Sequence, residues 1–295
     1  MRAALLCVTL VAVSQASVLS PGLRRALGAA LLSASLPLAS GAASYATAHP
    51  SRAELAEVLR DVREEAADYA RIVGSSDSYA RLDNSDDSIF YAEPRLVEHI
   101  DLGAVKALSS FHEREFEEVA QRTYGDKRRL LNILDLCASQ SSHLPRSYSK
   151  DSGSVVVGVG MNALELNSNP ALSAAPIVQD LNRSPRLALA DASFDVVTLQ
   201  LSIDYLTRPV DVLSEARRVL KKGSGEIVVS FSNRLFITKA TAAWTSMSDL
   251  DRIALVCYYL EQAGFSEGGI SALDLSPPNL GGKGDPLYAV VARAI

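Results

Sequence analysis

The chain has 295 residues, of which 48% are hydrophobic, which is enough for one large or two small packed domains and excludes a chain that is disordered throughout. Its net charge of −5 and pI near 5.5 argue against nucleic acid as a partner, because phosphate binding needs a basic surface. A small or lipophilic substrate is expected instead. The three cysteines form neither a disulfide framework nor a zinc spacing, so no metal is predicted.

The N-terminal stretch is predicted to be a targeting leader, because Glu54 is the first acidic residue. Arg2 followed by the apolar run 3–13 is typical of a secretory signal, and Arg24-Arg25 open a second acid-poor unit. The two units resemble the bipartite leader of a plastid acquired secondarily. We therefore predict that residues 1–50 direct the protein to a plastid. A thylakoid-lumen signal and a single secretory signal followed by a linker are the alternatives.

Residues 51–130 are predicted to form an N-terminal helical cap. A capping-box pattern begins at Ser51, and apolar residues then follow helical spacing to Gly74. The polar stretch Ser75–Ser88 is predicted as a solvated loop, and a second helix is expected around Ala104–Val119. No membrane span is predicted in the mature chain, and the sequence does not give the oligomeric state.

Short apolar runs after residue 130 predict a buried sheet. Five of them read as strands: Ile133–Cys137, Val155–Val159, Ile177–Gln179, Phe194–Leu199 and Glu226–Phe231. Nearly continuous apolar strands are typical of a parallel sheet covered on both faces, so a doubly wound α/β domain is expected over 131–295. Helices are predicted at Val210–Leu220 and Ser248–Ala263, and final strands at Phe265–Leu273 and Leu287–Ala294.

Three of these segments resemble class I S-adenosylmethionine-dependent methyltransferases. The sequences ILDL at 133–136, SFDVV at 193–197 and EARRVLKKGSGEIVVS at 215–230 are similar to the first, fourth and fifth strand regions of that superfamily. The resemblance extends over about residues 85–295. It implies a Rossmann-like sheet of seven strands, mostly parallel with Leu287–Ala294 antiparallel, and S-adenosylmethionine as cofactor. Within the superfamily the chain is most similar to plastid-type proteins whose first motif is not glycine-rich.

The resemblance implies that the cofactor's amino-acid end lies at the turn after the first strand. The family normally has glycines there, because the methionine moiety approaches the backbone closely. This chain has Cys137, Ala138 and Ser139 instead. Asp135 is expected either to organise this turn or to hydrogen-bond the amino-acid end.

The ribose and adenine contacts are implied at the next two strand ends. Gly160 stands where the family has its ribose-binding acid, followed by Met161 and Asn162, whose amide could accept one ribose hydrogen bond. Asp180, followed by Leu181, matches the acid that receives the adenine amino group. Capping of a turn is the structural alternative for Asp180.

A dinucleotide fingerprint is an alternative reading of the glycines. Gly158, Gly160 and Ala163 fit G-x-G-x-x-A, with Asp180 closing the following strand. This reading predicts a nicotinamide-dependent oxidoreductase, but it leaves Ile133–Cys137 as an unexplained extra strand.

The acceptor side is predicted after the fourth and fifth strands. Asp204 and Tyr205 are the candidates for orienting an acceptor or removing its proton, with Asp204 first because an unperturbed tyrosine is a poor base. Asn233 and Arg234 could bind an anionic or carbonyl group of the acceptor. The sequence thus predicts a methyltransferase, with a non-catalytic assembly protein of the same fold as the alternative.

Overall fold

The computed structural model describes Leu55, residues 66–277 and residues 284–295. The predicted leader, the capping box at Ser51 and most of the first predicted helix lie outside those residues. The last part of that helix is present as Ala66–Gly74.

The helices and strands of the described residues alternate along the chain, as expected for an α/β domain. The α-helices are α1 (Ala66–Gly74), α2 (Asp87–Phe90), α3 (Leu102–Tyr124), α4 (Ala163–Ser168), α5 (Pro209–Val219), α6 (Ala242–Thr245) and α7 (Asp249–Gln262). The strands are β1 (Asn132–Leu136), β2 (Val155–Gly160), β3 (Ile177–Val178), β4 (Val196–Gln200), β5 (Glu226–Phe231), β6 (Ile270–Asp274) and β7 (Tyr288–Arg293). Within the same residues no helix is long and apolar enough to cross a bilayer.

The strands form one sheet in the order β3-β2-β1-β4-β5-β7-β6. β1 pairs in parallel with β2 and β4, whereas β7 runs antiparallel to β5 and β6. The predicted seven-stranded, mostly parallel sheet is confirmed, and β1 lies in its interior. The strand order reverses between β1 and β4, and open sheets of this kind bind ligands at that point, outside the carboxyl ends of the strands.

Helices cover both faces of the sheet because successive strand residues point to opposite sides. Ile133 packs with Phe116 of α3 under one face. Leu134 belongs to the core on the other face, together with Leu213 of α5 and Val256 of α7. All five side chains are buried, which explains why the strands read as unbroken apolar runs.

Two elements differ most from their predicted bounds. α3 begins at a cap in which Asp101 accepts a hydrogen bond from the Ala104 amide, and it ends at Gly125 in the left-handed region (φ 71°). This helix is therefore longer at both ends than the helix predicted over Ala104–Val119. β6 begins at Ile270, later than predicted, because Glu267–Gly269 forms a 3₁₀ turn.

Residues 81–100, called here the cap segment, are tied to the main domain by buried charges. The Lys239 side chain is fully buried, with Nζ 3.1 Å from Asp87 Oδ1 and 3.2 Å from Asp83 Oδ2. Arg81 Nη1 donates to the other oxygen of Asp87 at 2.9 Å. The prediction of a solvated loop over Ser75–Ser88 is wrong at Asp87, which is buried in these ion pairs.

Candidate cofactor and acceptor site

A cavity of about 290 Å³ opens at the carboxyl edge of the sheet, between the strand ends and the cap segment. Ten of the thirteen predicted site residues line it: Asp135, Cys137, Ala138, Ser139, Gly160, Met161, Asp180, Leu181, Tyr205 and Arg234. The other three, Asn162, Asp204 and Asn233, do not. The cavity surrounds the switch point between β1 and β4, where the topology predicts a ligand.

Asp135 organises the turn after β1 through three hydrogen bonds. Its Oδ2 accepts from Ser142 Oγ at 2.6 Å, and its Oδ1 accepts from Thr198 Oγ1 at 2.8 Å and Gln200 Nε2 at 3.3 Å. Burial raises the pKa of Asp135 to about 6 against the opposing effect of these donors. Asp135 therefore joins β1, the following turn and β4 into one rigid wall.

Gln200, at the end of β4, carries a buried acceptor without a partner. Its Nε2 donates to Asp135 and to the Ser142 carbonyl oxygen at 2.7 Å. Its Oε1 is buried and accepts no hydrogen bond within the described part of the chain. A buried acceptor in a cavity wall needs a donor from a ligand or a water. Sequence reasoning did not identify Gln200.

The backbone is strained on both sides of the switch point. Cys137 after β1 (φ 56°) and Leu201 after β4 (φ 51°) lie in the left-handed region, which residues other than glycine rarely adopt. Cys137 thus makes the turn for which the family uses glycine. Burial, followed by the charge of Asp135, raises the pKa of the Cys137 thiol to about 12, so the thiol stays protonated and is not a nucleophile.

Packing explains why glycines stand at 158 and 160. A Cβ on Gly160 would overlap the carbonyl oxygen of Ala138, and one on Gly158 would come within 2.6 Å of Leu172. An acid at residue 160 is therefore excluded by the turn after β1. The dinucleotide reading is also wrong, since α4 (Ala163–Ser168) has only six residues and β2 does not flank the switch point.

Asn162 has no hydrogen-bonding capacity left for a ribose. Its Oδ1 caps α4 by accepting from the amides of Leu164 and Glu165. Its Nδ2 donates to the carbonyl oxygens of Tyr91 and Ala92 in the cap segment. The prediction of a ribose contact at Asn162 is wrong because both ends of the amide hold the protein itself.

Asp180 serves as a turn cap and also faces the cavity. Its Oδ1 accepts from the amides of Asn182 and Arg183 at 2.8 and 3.2 Å. Among the described residues no hydrogen bond is made to its Oδ2. One carboxylate oxygen thus holds the turn, and the other can accept a hydrogen bond from a ligand such as an adenine amino group.

The 3₁₀ turn Ile203–Tyr205 carries both candidate catalytic residues, and their environments differ. Tyr205 lines the cavity, whereas Asp204 is buried beneath it and its Oδ2 has no hydrogen-bond partner in the described residues. Burial raises the pKa of Asp204 to about 8, so the carboxyl is mostly protonated at neutral pH. The prediction that Asp204 faces an acceptor and removes its proton is wrong on both grounds.

Tyr205 is a hydrogen-bonding group of the cavity wall and not a base. Its phenol oxygen accepts from the Phe236 amide at 2.8 Å. Burial, together with the neighbouring Asp204, raises the pKa of Tyr205 far above its ordinary value. The phenol therefore keeps its proton, and only the orienting role predicted for Tyr205 is compatible with this geometry.

The two residues after β5 also differ from expectation. Asn233 is exposed and does not line the cavity, so its predicted contact with an acceptor is wrong. Arg234 lines the cavity, but its Nε donates to Asp285 Oδ1 at 2.7 Å. Its charge is thus already paired within the protein.

The cap segment contributes cavity residues that the sequence did not reveal. Tyr91, Arg95 and His99 line the wall opposite the strand ends. Glu165 anchors this wall, accepting from the Arg95 amide and from Ser139 Oγ, both at 2.6 Å. Burial lowers the pKa of His99, so its imidazole is neutral at pH 7 and can accept a proton. No sequence motif marks these residues, because their segment is remote in the chain from the strands it covers.

A family model described as a methyltransferase domain matches residues 140–228. The match begins after β1 and continues into β5, and the sheet order is that of the class I superfamily. Residues 140–228 therefore match a methyltransferase domain, and they lie in a sheet of the class I fold. S-adenosylmethionine, the predicted cofactor, is the methyl donor of that superfamily. The comparison with curated proteins found no match.

Several solved structures that are similar to this chain at low sequence identity are named methyltransferases, and another is the [4+2]-cyclase SpnF. A SAM-dependent methyltransferase from Thermotoga maritima is 14% identical, covering 64% of this chain and 91% of its own (TM-score 0.40). A SAM-dependent methyltransferase from Aquifex aeolicus is 17% identical and covers 66% of this chain and 99% of its own (TM-score 0.40). Another from Archaeoglobus fulgidus is 14% identical and covers 61% of this chain and 93% of its own (TM-score 0.40).

Proposed function

We propose that the protein is an S-adenosylmethionine-dependent methyltransferase that acts on a small or lipophilic acceptor. One observation carries the proposal: Gln200, which lines the cavity at the switch point of a methyltransferase-type sheet, has a buried side-chain oxygen without a hydrogen-bond partner among the described residues. An acceptor atom in that position suits the ammonium group of the cofactor's amino-acid end. The remaining oxygen of Asp180, at the end of β3 and separated from Gln200 by β2 and β1, suits the adenine amino group.

The chain's residues would hold the donor along the strand ends. The turn from Cys137 to Ser139 is kept slim and rigid by Asp135, and Leu181 offers an apolar contact beside Asp180. When bound, S-adenosylmethionine supplies an electrophilic methyl group on its sulfonium. Because methyl transfer is a direct displacement, the protein's main contribution is to hold donor and acceptor at attack distance.

The acceptor side has the groups needed to orient a nucleophile and accept one proton. Tyr205 keeps its proton and can donate a hydrogen bond, and the neutral imidazole of His99 lies in the same cavity wall. We assign the orienting role to Tyr205 and proton acceptance to His99. The aromatic side chains of Tyr91 and Phe236 in this wall favour an acceptor with apolar surface.

A second function is favoured by the ribose end of the cavity. The packing around Gly160 leaves no room for an acidic side chain that could bind the ribose. The side-chain amide of Asn162 makes all its hydrogen bonds to α4 and to the cap segment. A protein that keeps the fold but not the activity, acting in assembly or interaction, would have this feature. It is the alternative proposal.

Calorimetric titration of the full-length chain with S-adenosylmethionine, S-adenosylhomocysteine and NAD separates these functions. The enzyme proposal expects binding of the first two ligands and no binding of NAD. Absence of binding by all three would refute the enzyme proposal and favour the non-catalytic one.

We also propose that residues 1–50 are a leader for plastid delivery, with the thylakoid lumen or secretion as alternatives. The acid-poor composition and the two basic-apolar units support it. Intact-mass analysis of native protein should find an N-terminus between Ser17 and about Ser51. Retention of Met1 would refute the leader, and an N-terminus near Thr47 would indicate the lumen.

A further inference from the structure

Arg95 carries a positive charge that is held in the cavity wall by aromatic rings. Its guanidinium lies 4.4 Å from the ring centroid of Phe90 and 5.1 Å from that of Phe236. Cation–π contacts at these distances fix the plane of the guanidinium without neutralising its charge.

The hydrogen bonds of Arg95 leave a buried donor nitrogen of its guanidinium unused. Nη2 donates to the Phe90 carbonyl oxygen at 3.1 Å. Nη1 is buried and has no hydrogen-bond partner among the residues that the structure describes, and no ion pair with an acidic side chain is formed there. Arg234, the other arginine of the cavity, is paired with Asp285. A buried cationic donor without a partner is costly, so its retention in a cavity wall indicates a ligand that supplies the missing acceptor.

The backbone of Arg95 is fixed as firmly as its side chain. Its amide donates to Glu165 Oε1, and Glu165 Oε2 accepts from Ser139, so the carboxylate is occupied by other donors and does not pair with the guanidinium. The side chain extends away from that anchor toward Phe236, on the side of the cavity where Tyr205 also lies. Arg95 and Tyr205 thus both contact the ring of Phe236, and Tyr205 is the residue to which the orienting role is assigned.

We propose that Arg95 binds a carboxylate on the methyl acceptor, whose apolar part packs against Phe236 and Tyr91. This inference rests on the proposed function and narrows the acceptor to an apolar acid. A guanidinium suits the group because its planar N–H donors match carboxylate oxygens and because it retains its charge when desolvated. The aromatic wall supplies the contact for the apolar part.

Paired probes test the charge requirement directly. Benzoate, 3-phenylpropionate and octanoate are each titrated against the primary amide of the same acid, using full-length protein with and without S-adenosylhomocysteine. The expected result is that at least one acid binds tenfold or more tightly than its amide. Arg95→Gln should reduce this ratio of affinities to within twofold. Arg95→Lys should preserve part of the preference for the acid, because lysine keeps a positive charge but not the planar N–H donors.

Matched variants exclude a general effect of charge or folding. Arg234→Gln removes an arginine of the same cavity that is already paired, and it should preserve most of the ratio. Thermal unfolding of each variant verifies that it is folded, and Arg95→Lys retains the packing of the stem if Arg95→Gln does not fold.

The cofactor is measured separately, so that failure of this inference differs from failure of the proposed function. S-adenosylhomocysteine and 5′-methylthioadenosine, which lacks the amino-acid end, should bind Arg95→Gln as tightly as the parent. Weakening of S-adenosylhomocysteine alone would overturn the inference by assigning Arg95 to the cofactor's own carboxylate. Equal binding of all three acids and their amides, or an acid preference that survives in Arg95→Gln, would overturn it as well. A parent that binds acids but not S-adenosylhomocysteine would refute the methyltransferase proposal while leaving Arg95 as a carboxylate site.

Discussion

The carbonyl oxygen of Ala138 occupies the space that a side chain on Gly160 would need. The contact exists because the turn after β1 packs directly on the end of β2, where the Ala138 amide donates to the Val159 carbonyl oxygen at 2.8 Å. The turn and the glycine are therefore one structural unit. An acid for the ribose cannot be restored at residue 160 without rebuilding the turn.

Substitution of Gly160 should destabilise the protein. In Gly160→Ala the new methyl group meets a backbone carbonyl, which cannot rotate away as a side chain does, and we expect a loss of about 1–3 kcal/mol or more. Urea unfolding measures it. Gly268→Ala is the control, because a Cβ there meets nothing within 4 Å, and it should change stability by less than about 0.5 kcal/mol. Equal stability of the two variants would contradict the packing described for Gly160.

Asp180→Ala should weaken S-adenosylhomocysteine binding about tenfold, since it removes one polar contact worth roughly 1–2 kcal/mol. Isothermal titration of the parent and the variant measures the ratio. Asp151→Ala, at an exposed aspartate of another turn, should leave the affinity unchanged. If Asp180→Ala binds like the parent, the adenine does not lie at the end of β3.

Asp135→Ala should lower both stability and cofactor affinity. The substitution strands the donors of Ser142, Thr198 and Gln200, so we expect unfolding to become easier by about 2–4 kcal/mol and binding to weaken at least as much as in Asp180→Ala. Ser142→Ala removes only one of these donors, together with an acceptor for Asn169 Nδ2, and should cost less than Asp135→Ala, about 1 kcal/mol. Chemical denaturation and titration test both statements. An Asp135→Ala protein of parental stability would show that the network does not hold the turn.

Asp204→Asn should stabilise the protein, and increasingly so as the pH rises. The pKa of Asp204 is raised from 3.8 to about 8 in the folded protein. Between about pH 4 and pH 8 the native state therefore still holds a proton that the unfolded state has already lost. The parent therefore loses stability across that interval. The neutral amide avoids this loss. At pH 8 the variant should be more stable than the parent by several kcal/mol, because each pKa unit corresponds to about 1.4 kcal/mol, and this difference should vanish near pH 4. A stability difference between variant and parent that does not change with pH would contradict a buried Asp204 carboxyl with a raised pKa.

The sheet could be predicted because burial on both faces leaves a local signal. Strands such as Val155–Val159 and Glu226–Phe231 have apolar residues on both sides, and their order with the intervening helices restricts the topology to few choices. The antiparallel β7 followed from the resemblance and not from periodicity.

Individual side-chain roles were less predictable because they depend on local turns and on distant contacts. Asp204 and Tyr205 are neighbours in the chain, yet one turn of 3₁₀ helix buries the first and directs the second into the cavity. The Asn162 amide donates its hydrogen bonds to the carbonyl oxygens of Tyr91 and Ala92, about seventy positions earlier in the chain. Neither contact has a sequence pattern, and Arg95 is brought to the site by the same long-range packing.

A crystal structure with S-adenosylhomocysteine bound tests the central claim most directly. The account predicts that the adenine amino group lies within hydrogen-bond distance of Asp180 Oδ2 and that the amino-acid end lies against Gln200 Oε1. Electron density for the ligand outside the cavity, or with the adenine at Gln200 and the amino-acid end at Asp180, would contradict it.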